Sequence, residues 1–144
     1  MNRVVVTGIG IVSPLGGKDE LWRNLLNGVS GVGRITRFDA SSLPVQIGAE
    51  VRDFDPTAYM ERKEAKRMDR FAQFAVAAAK MSLADAGIKL PFAEPNRVGV
   101  LIGSGIGGIE TVQEQSRVLF EKGAERVSPF FVPMMIPDMA SGQV

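Results

Sequence analysis

Two short runs of apolar residues, each closed by a glycine, predict buried β-strands. The first runs from Arg3 to Gly8 and reads RVVVTG, and the second runs from Val98 to Ile102 and is followed by Gly103. Both are continuous rather than alternating, which is typical of strands covered on both faces. Their β-branched residues also favour strands. We therefore predict a central strand at the start of the chain and a fully buried strand in the second run.

Three other segments repeat apolar residues at the three- and four-residue spacing of an amphipathic helix. The predicted helices run from Lys18 to Gly28, from Arg62 to Ala86 and from Ile109 onward. A glycine ends each of the first two, as is common at the C-terminus of a helix. The helix that begins at Arg62 is the longest, and Gly87 ends it.

The segment between the first two helices is predicted to hold one short strand. Residues from Val29 to Leu43 include two glycines and a pair of serines, a composition typical of a loop. Val45 to Val51 alternates well enough for a strand at the edge of a sheet. Asp55 followed by Pro56 is a signal for the start of a helix.

The predicted helix from Arg62 to Ala86 has an apolar face and a basic face. With about 100° per residue, the apolar face collects Met68, Phe71, Ala72, Ala75, Ala79 and Leu83. The opposite face collects Lys63, Lys66, Arg67 and Arg70. A charged stripe is often only a solvated surface, but a positive stripe with few carboxylates also suits an anionic partner. No aromatic residue interrupts it, so stacking on single-stranded nucleic acid is disfavoured.

The composition is that of an ordinary soluble domain, and it removes several kinds of chemistry. The 144 residues carry a net charge of +1, with 45% hydrophobic and 23% charged residues. These values fit one globular domain with no global attraction to nucleic acid. The sequence has no cysteine and no histidine. Disulfides, a cysteine nucleophile and the side chain best suited to proton transfer near neutral pH are therefore excluded for these residues.

The two ends of the sequence bear on where the protein is located in the cell and on whether the natural chain continues. No apolar run is long enough to span a membrane, and the run at the N-terminus is too short for a signal peptide. We therefore expect a cytoplasmic protein. The last residues, Met139 to Val144, have neither a helix cap nor a polar tail, and we expect the natural chain to continue beyond them.

Four glycines lie within six residues after the second predicted strand, at Gly103, Gly105, Gly107 and Gly108. Three of them satisfy G-x-G-x-x-G, the fingerprint of dinucleotide-binding sites, at the start of a helix. Such a site also needs a second strand that ends in an acidic residue about 20 residues later. Glu121 and Glu125 lie near that distance, but no apolar strand precedes either one. Tight turns in an α/β sheet account for most of the glycines, and dinucleotide binding stays open as an alternative.

The segment from Ser128 to Pro137, SPFFVPMMIP, places three prolines among phenylalanines, methionines and other large apolar residues. The prolines resist both a strand and a long helix, and we expect a helix to start only near Pro133 or Pro137. A cluster of Phe and Met is most often core, but methionine also lines irregular apolar cavities. A lipid-type pocket or a subunit interface is therefore the second interpretation.

Four stretches together resemble the opening part of the β-ketoacyl-acyl carrier protein synthases, in particular the type II enzymes of bacterial fatty acid synthesis. They are VVVTGIGIVSPLG at 4–16, RKEAKRMDRF at 62–71, GVLIGSGIGG at 99–108 and SPFFVPMMIPDMASG at 128–142. They occur in the family's order and cover essentially the whole chain. The resemblance implies an α/β fold, the N-terminal half of a thiolase-like five-layered α-β-α-β-α fold that is incomplete in this chain. Residues 1–144 would form one partial domain without an internal boundary.

The resemblance also implies a reaction. Family members elongate acyl chains on acyl carrier protein by decarboxylative Claisen condensation with a malonyl thioester, using a cysteine nucleophile and two histidines. In the family these residues lie beyond the position of Val144, so we expect the chain by itself to be inactive. The implied partners are acyl carrier protein, acyl and malonyl thioesters, and a second copy of the complete protein in a homodimer. No cofactor, metal, nucleic acid or membrane is implied.

Ten residues acquire roles from the resemblance, by position. Three residues match basic residues with which the family binds the acidic carrier protein, namely Lys63, Lys66 and Arg67. Arg126 lies near a further basic contact of the family. Ile106, between Gly105 and Gly107, matches the residue that gates the acyl pocket. The segment that lines this pocket near the dimer interface contains Phe131, Met134 and Met135.

Three functions stay open at this point. The first is part of a condensing enzyme, the second is a nucleotide-binding oxidoreductase domain, and the third is a non-catalytic module that binds acyl carrier protein. The resemblance favours the first, because its four stretches are together more specific than a single glycine pattern.

Overall fold

A computed structural model describes residues 3–144, and the first two residues of the predicted domain, Met1 and Asn2, lie outside the described residues. Helices dominate the regular structure. They are α1 (Lys18–Leu26), α2 (Arg62–Ala65), α3 (Arg70–Asp85), α4 (Ile109–Lys122), α5 (Phe131–Met135) and α6 (Met139–Gln143). The strands are β1 (Val32–Arg34) and β2 (Ile47–Ala49), and single 3₁₀ turns lie at Pro56–Ala58, Pro95–Arg97 and Ala124–Arg126.

The helices predicted from Lys18 and from Ile109 are confirmed as α1 and α4. Acidic residues lie in the first turn of α1, where they interact favourably with the positive end of the helix dipole. α4 ends at Lys122 and Gly123 follows it. The proline-rich tail forms two short helices, α5 and α6, which begin within two residues of the predicted positions. In the part of the chain that the structure describes, no helix is long and apolar enough to cross a membrane.

β1 and β2 form an antiparallel hairpin in which Val32 pairs with Ala49. The predicted edge strand is confirmed in its centre, but the prediction of a loop throughout 29–43 was wrong because it missed β1. Glu50 fixes the chain beside the hairpin, since its carboxylate accepts the backbone N–H groups of Thr36 at 3.0 Å and Arg37 at 3.1 Å. A further hydrogen bond from the Thr36 hydroxyl lowers the pKa of Glu50. These contacts hold β1 against β2 despite its short length.

The helix predicted over 62–86 is broken into α2 and α3. Between them Asp69 has an extended backbone, with ψ of 159°, and caps the N-terminus of α3. The break rotates the buried face, which contains Ala72, Val76 and Ala77. Of the residues predicted to share the apolar face, Ala72 is buried, whereas Met68, Phe71, Ala75, Ala79 and Leu83 are only half-buried.

Two glycines near the N-terminus let the chain lie directly on α3. A Cβ atom added to Gly10 would lie 2.7 Å from the backbone nitrogen of Ser82, and one added to Gly8 would lie 2.7 Å from that of Ala86. Both distances are shorter than a van der Waals contact. Glycine is therefore required at Gly8 and Gly10 by close packing against a helix rather than by a turn.

The two segments predicted as buried strands, 3–8 and 98–102, are not paired with any strand among residues 3–144. Val4 and Leu101 are almost fully exposed, at 94% and 98%, whereas Ile102 is half-buried. A strand needs a neighbour for its backbone N–H and C=O groups, and the described residues supply none. The accessible surface is 10845 Å², against roughly 7,200 Å² for a self-contained monomer of this mass. Residues 3–144 thus expose much apolar surface.

Asp85 joins three elements and makes stability depend on pH. Its carboxylate accepts a hydrogen bond from the Lys18 ammonium and another, at 2.9 Å, from the backbone N–H of Ile9. These hydrogen bonds, first that from Lys18, lower the pKa of Asp85 below its ordinary value of 3.8. Because the pKa is lower in the folded state, the ionised Asp85 carboxylate stabilises the fold at pH values above its unfolded-state pKa. This stabilisation is lost as the pH falls through the folded-state pKa.

We therefore expect Asp85→Asn to flatten the acid limb of the stability profile. The free energy of unfolding, measured by urea titration from neutral pH to about pH 3, should fall less steeply than in the wild type. Lys18→Met keeps the hydrogen bond from Ile9 and should have a smaller effect of the same sign. An acid limb as steep as that of the wild type in Asp85→Asn would contradict this assignment.

Candidate functional site

The start of α3 and the start of α4 meet at a buried carboxylate, that of Asp69. Only 7% of the residue is exposed, and its Oδ2 accepts two hydrogen bonds from Thr111, from the backbone N–H at 2.9 Å and from the hydroxyl at 2.6 Å. Thr111 lies in the first turn of α4 and is also buried. Asp69 therefore joins the N-terminus of α3, which it caps, to the N-terminus of α4.

The glycine turn, defined here as residues 105–108, lies between this carboxylate and α5. Gly107 has φ of 76°, and its N–H donates to the Ser104 hydroxyl at 3.0 Å. The N–H of Gly108 donates to the carbonyl oxygen of Met135, at the end of α5, at 2.9 Å. The turn is thus anchored to α5 on one side and leads into α4 on the other.

The structure places the glycine turn against the end of α5, the helix that carries the other residues assigned to the acyl pocket. Ile106 is at the tip of the glycine turn and is 69% exposed, and Gly105 beside it faces open space. On α5, the half-buried residues are Phe131, Met134 and Met135. A cleft of about 750 Å³ lies elsewhere, between the loop at 11–17 and the hairpin, and none of these residues lines it.

Three backbone N–H groups at the start of α4, those of Gly108, Ile109 and Thr111, already have acceptors within the chain. Asp69 Oδ2 already occupies the N–H of Thr111, and a Cβ atom at Gly108 would lie only 2.9 Å from that same oxygen. The Gly108 N–H is bound to Met135. A carboxylate at a helix N-terminus makes the favourable contacts that a phosphate would make there. This geometry disfavours the dinucleotide alternative. The sequence contains the signal for this cap, an Asp before the apolar run, and the prediction of a single helix overlooked it.

The basic surface, defined as Lys63, Lys66, Arg67 and Arg126, is exposed at all four positions. Within residues 3–144, none of these side chains has an ion-pair partner. The guanidinium of Arg67 lies over the ring of Phe130, 4.7 Å from its centroid. This contact places the turn between α2 and α3 beside the segment that follows Arg126.

Arg70 does not belong to this surface, although the sequence placed it on the same stripe. Its side chain is half-buried and donates to the carbonyl oxygen of Val51. The guanidinium lies 4.8 Å from the ring centroid of Phe74 and 5.7 Å from that of Phe54. Burial lowers the pKa of Arg70. The break before α3 turns Arg70 inward, so it is not available to an anionic partner.

Comparison with known proteins gives one consistent answer. The family described as "Beta-ketoacyl synthase, N-terminal domain" matches residues 1–144. A protein of Synechocystis sp. named 3-oxoacyl-[acyl-carrier-protein] synthase 2 is 49% identical over 142 residues, which is 98% of this chain and 34% of that protein. The protein of the same name from Coxiella burnetii is 50% identical over 144 residues, 99% of this chain and 35% of that protein.

A solved structure gives the same result for the fold. The crystal structure of a β-ketoacyl synthase from Burkholderia phymatum superposes with a TM-score of 0.82 at 30% identity, covering 100% of this chain and 36% of that one. The predicted fold class, a partial α/β thiolase-like fold, is confirmed by this likeness. The chain spans about a third of the length of the relatives it matches.

Proposed function

Because this chain belongs to the β-ketoacyl synthase family, we propose that it is the N-terminal part of an enzyme that elongates acyl chains on acyl carrier protein. The reaction is a decarboxylative Claisen condensation with malonyl-acyl carrier protein. The observation that carries the proposal is the match, over nearly the whole chain, to enzymes whose name specifies a 3-oxoacyl product and acyl carrier protein.

The proposed chemistry divides between this chain and residues outside it. A thiolate attacks the acyl thioester and releases the carrier thiol; loss of CO₂ from the malonyl group then gives a carbanion that attacks the enzyme-bound acyl carbon and expels the thiolate. Backbone N–H groups stabilise the oxyanions. The 144 residues contain no cysteine or histidine, so the nucleophile and the two histidines are proposed to come from elsewhere in the complete protein.

The basic surface is the proposed docking site of the carrier protein. Its four cations are exposed, and the side chain of Arg67 is held by Phe130, which reduces the conformational entropy lost on binding. An acidic partner would be steered by these charges and would meet them without first breaking an ion pair among residues 3–144. Charge complementarity and exposure support this proposal.

The glycine turn and α5 are the proposed wall of the acyl pocket. Ile106 would gate the pocket, and Gly105, which faces open space, would leave room beside it for an alkyl chain. Gly107 would instead let the turn pack closely against the end of α5. The side chains proposed to line it on α5 are Phe131, Met134 and Met135. The anchoring of the turn to α5 by the Gly108–Met135 hydrogen bond supports this assignment, because it makes the gate and the lining one connected unit.

We propose that residues 1–144 form one partial domain and that the complete protein is a cytoplasmic homodimer that needs no cofactor or metal. The large apolar surface of this chain supports the first part of this proposal, since Val4 and Leu101 are almost entirely exposed. Residues beyond those described here would pair with these segments and bury them.

The test is a condensation assay with the complete protein encoded by the gene. We expect it to convert decanoyl- and malonyl-acyl carrier protein into the 3-oxoacyl product with release of CO₂, and we expect the 144-residue chain to form no product. Saturable binding of NADPH without condensation would instead favour the oxidoreductase. Binding of acyl carrier protein without product by the complete protein would favour a non-catalytic module.

A further inference from the structure

Asp69 has more contacts than a helix cap requires. A cap needs one acceptor for an N–H of the first turn, and Asp69 provides it to Phe71 through Oδ1. Its other oxygen, Oδ2, accepts both donors of Thr111, 42 positions along the chain. The carboxylate thus uses both oxygens, and the two elements that it joins are distant in sequence.

The same oxygen lies directly against the glycine turn. Gly108 passes so close to Asp69 that a Cβ there would lie 2.9 Å from Oδ2. Gly108 is two residues after Ile106 and is bound through its N–H to Met135. The position of Ile106 relative to α5 therefore depends on contacts that meet at Asp69 and Gly108.

We propose that Asp69 is a positioning residue that fixes the glycine turn and thereby sets the acyl-chain selectivity of the enzyme. The inference rests on the proposed function, because it takes Ile106 as the gate of the acyl pocket. Asp69 acts through Thr111 and Gly108 and touches no substrate. Its effect is on which acyl chain the gate admits, rather than on carrier docking or on the bond-making step.

The variant that tests this is Asp69→Asn in the complete protein. An amide of the same size has one acceptor oxygen, so it cannot both cap α3 and accept from Thr111. The matched control is Asp55→Asn. Asp55 also accepts from the N–H and hydroxyl of one threonine, Thr57, at 2.8 and 2.7 Å, but it lies in a different turn.

The first readout is the ratio of kcat/KM for hexadecanoyl- and hexanoyl-acyl carrier protein. We expect Asp69→Asn to move this ratio toward one by about fivefold, because a loosened gate discriminates less. The affinity for the carrier protein without an acyl chain should not change. Thr111→Ser should keep the wild-type ratio and Thr111→Val should shift it partly. A uniform loss of activity at an unchanged ratio would overturn the proposal and leave Asp69 a structural residue only.

The second readout does not need activity. Amide hydrogen exchange at residues 107–112 should accelerate by about tenfold in Asp69→Asn and not in Asp55→Asn. Unchanged exchange in the glycine turn would overturn the inference even in an inactive protein. Absence of condensation in the wild type, with accelerated exchange in the variant, would instead refute the proposed function and retain the positioning of the turn by Asp69.

Discussion

Reversing two charges of the basic surface, Lys63→Glu together with Arg67→Glu, is expected to weaken binding of acyl carrier protein by about 100-fold at low salt. Each substitution replaces an attraction to an acidic partner by a repulsion, and like charges at an interface cost several kcal/mol. For Arg67 the change also removes the stacking on Phe130. The dissociation constant of fluorescently labelled carrier protein measures the effect, which should shrink as added salt shortens the Debye length.

A matched control has the same change in net charge at a distance from this surface. Lys89 and Arg23 are exposed, and the reversal Lys89→Glu with Arg23→Glu should leave the affinity within about twofold of the wild type. Equal loss in both double variants would mean that net charge alone governs binding. Unchanged affinity in Lys63→Glu/Arg67→Glu would refute the docking assignment.

Replacing Gly107 with alanine is expected to destabilise the complete protein by about 3 kcal/mol. The residue has φ of 76°, a conformation that costs a side-chain-bearing residue about 1–2 kcal/mol. The new Cβ would also meet the carbonyl oxygen of Met135 and lie 3.0 Å from the nitrogen of Pro137, and such overpacking adds to the cost. Urea unfolding provides the measurement.

Gly105 in the same turn offers the control. A Cβ there meets no atom within 4 Å, and φ lies outside the left-handed region, so Gly105→Ala should change the free energy of unfolding by less than about 0.5 kcal/mol. If Gly107→Ala were as stable as Gly105→Ala, the packing of the glycine turn on α5 would be wrong.

The sequence could predict the elements whose signal is local. The first predicted helix begins at Lys18 and the last long one at Ile109, as the apolar spacing indicated. The assignment of Asp55 to a helix start was also correct, because an Asp before Pro is a cap that acts within three residues. These signals depend on short-range geometry that the chain carries in its own order.

The remaining features depend on contacts between distant residues. The break before α3 depends on Asp69 and Thr111, which are 42 positions apart, and no periodicity over 62–86 could reveal that pair. β1 is held by Glu50 through Thr36 and Arg37. Because these contacts are not visible in the sequence of β1 itself, its three residues are predicted to be part of a loop. The apolar run at 98–102 has the pattern of a buried strand, but strand pairing is a property of its neighbours rather than of its own residues.

The exposed apolar segments also determine how this chain would unfold by itself. Val4, Val6 and Leu101 already face water, so these side chains contribute little newly exposed apolar area when the chain unfolds. The heat-capacity increment and the denaturant m-value both scale with newly exposed area. We therefore expect the chain by itself to give a broad melting curve.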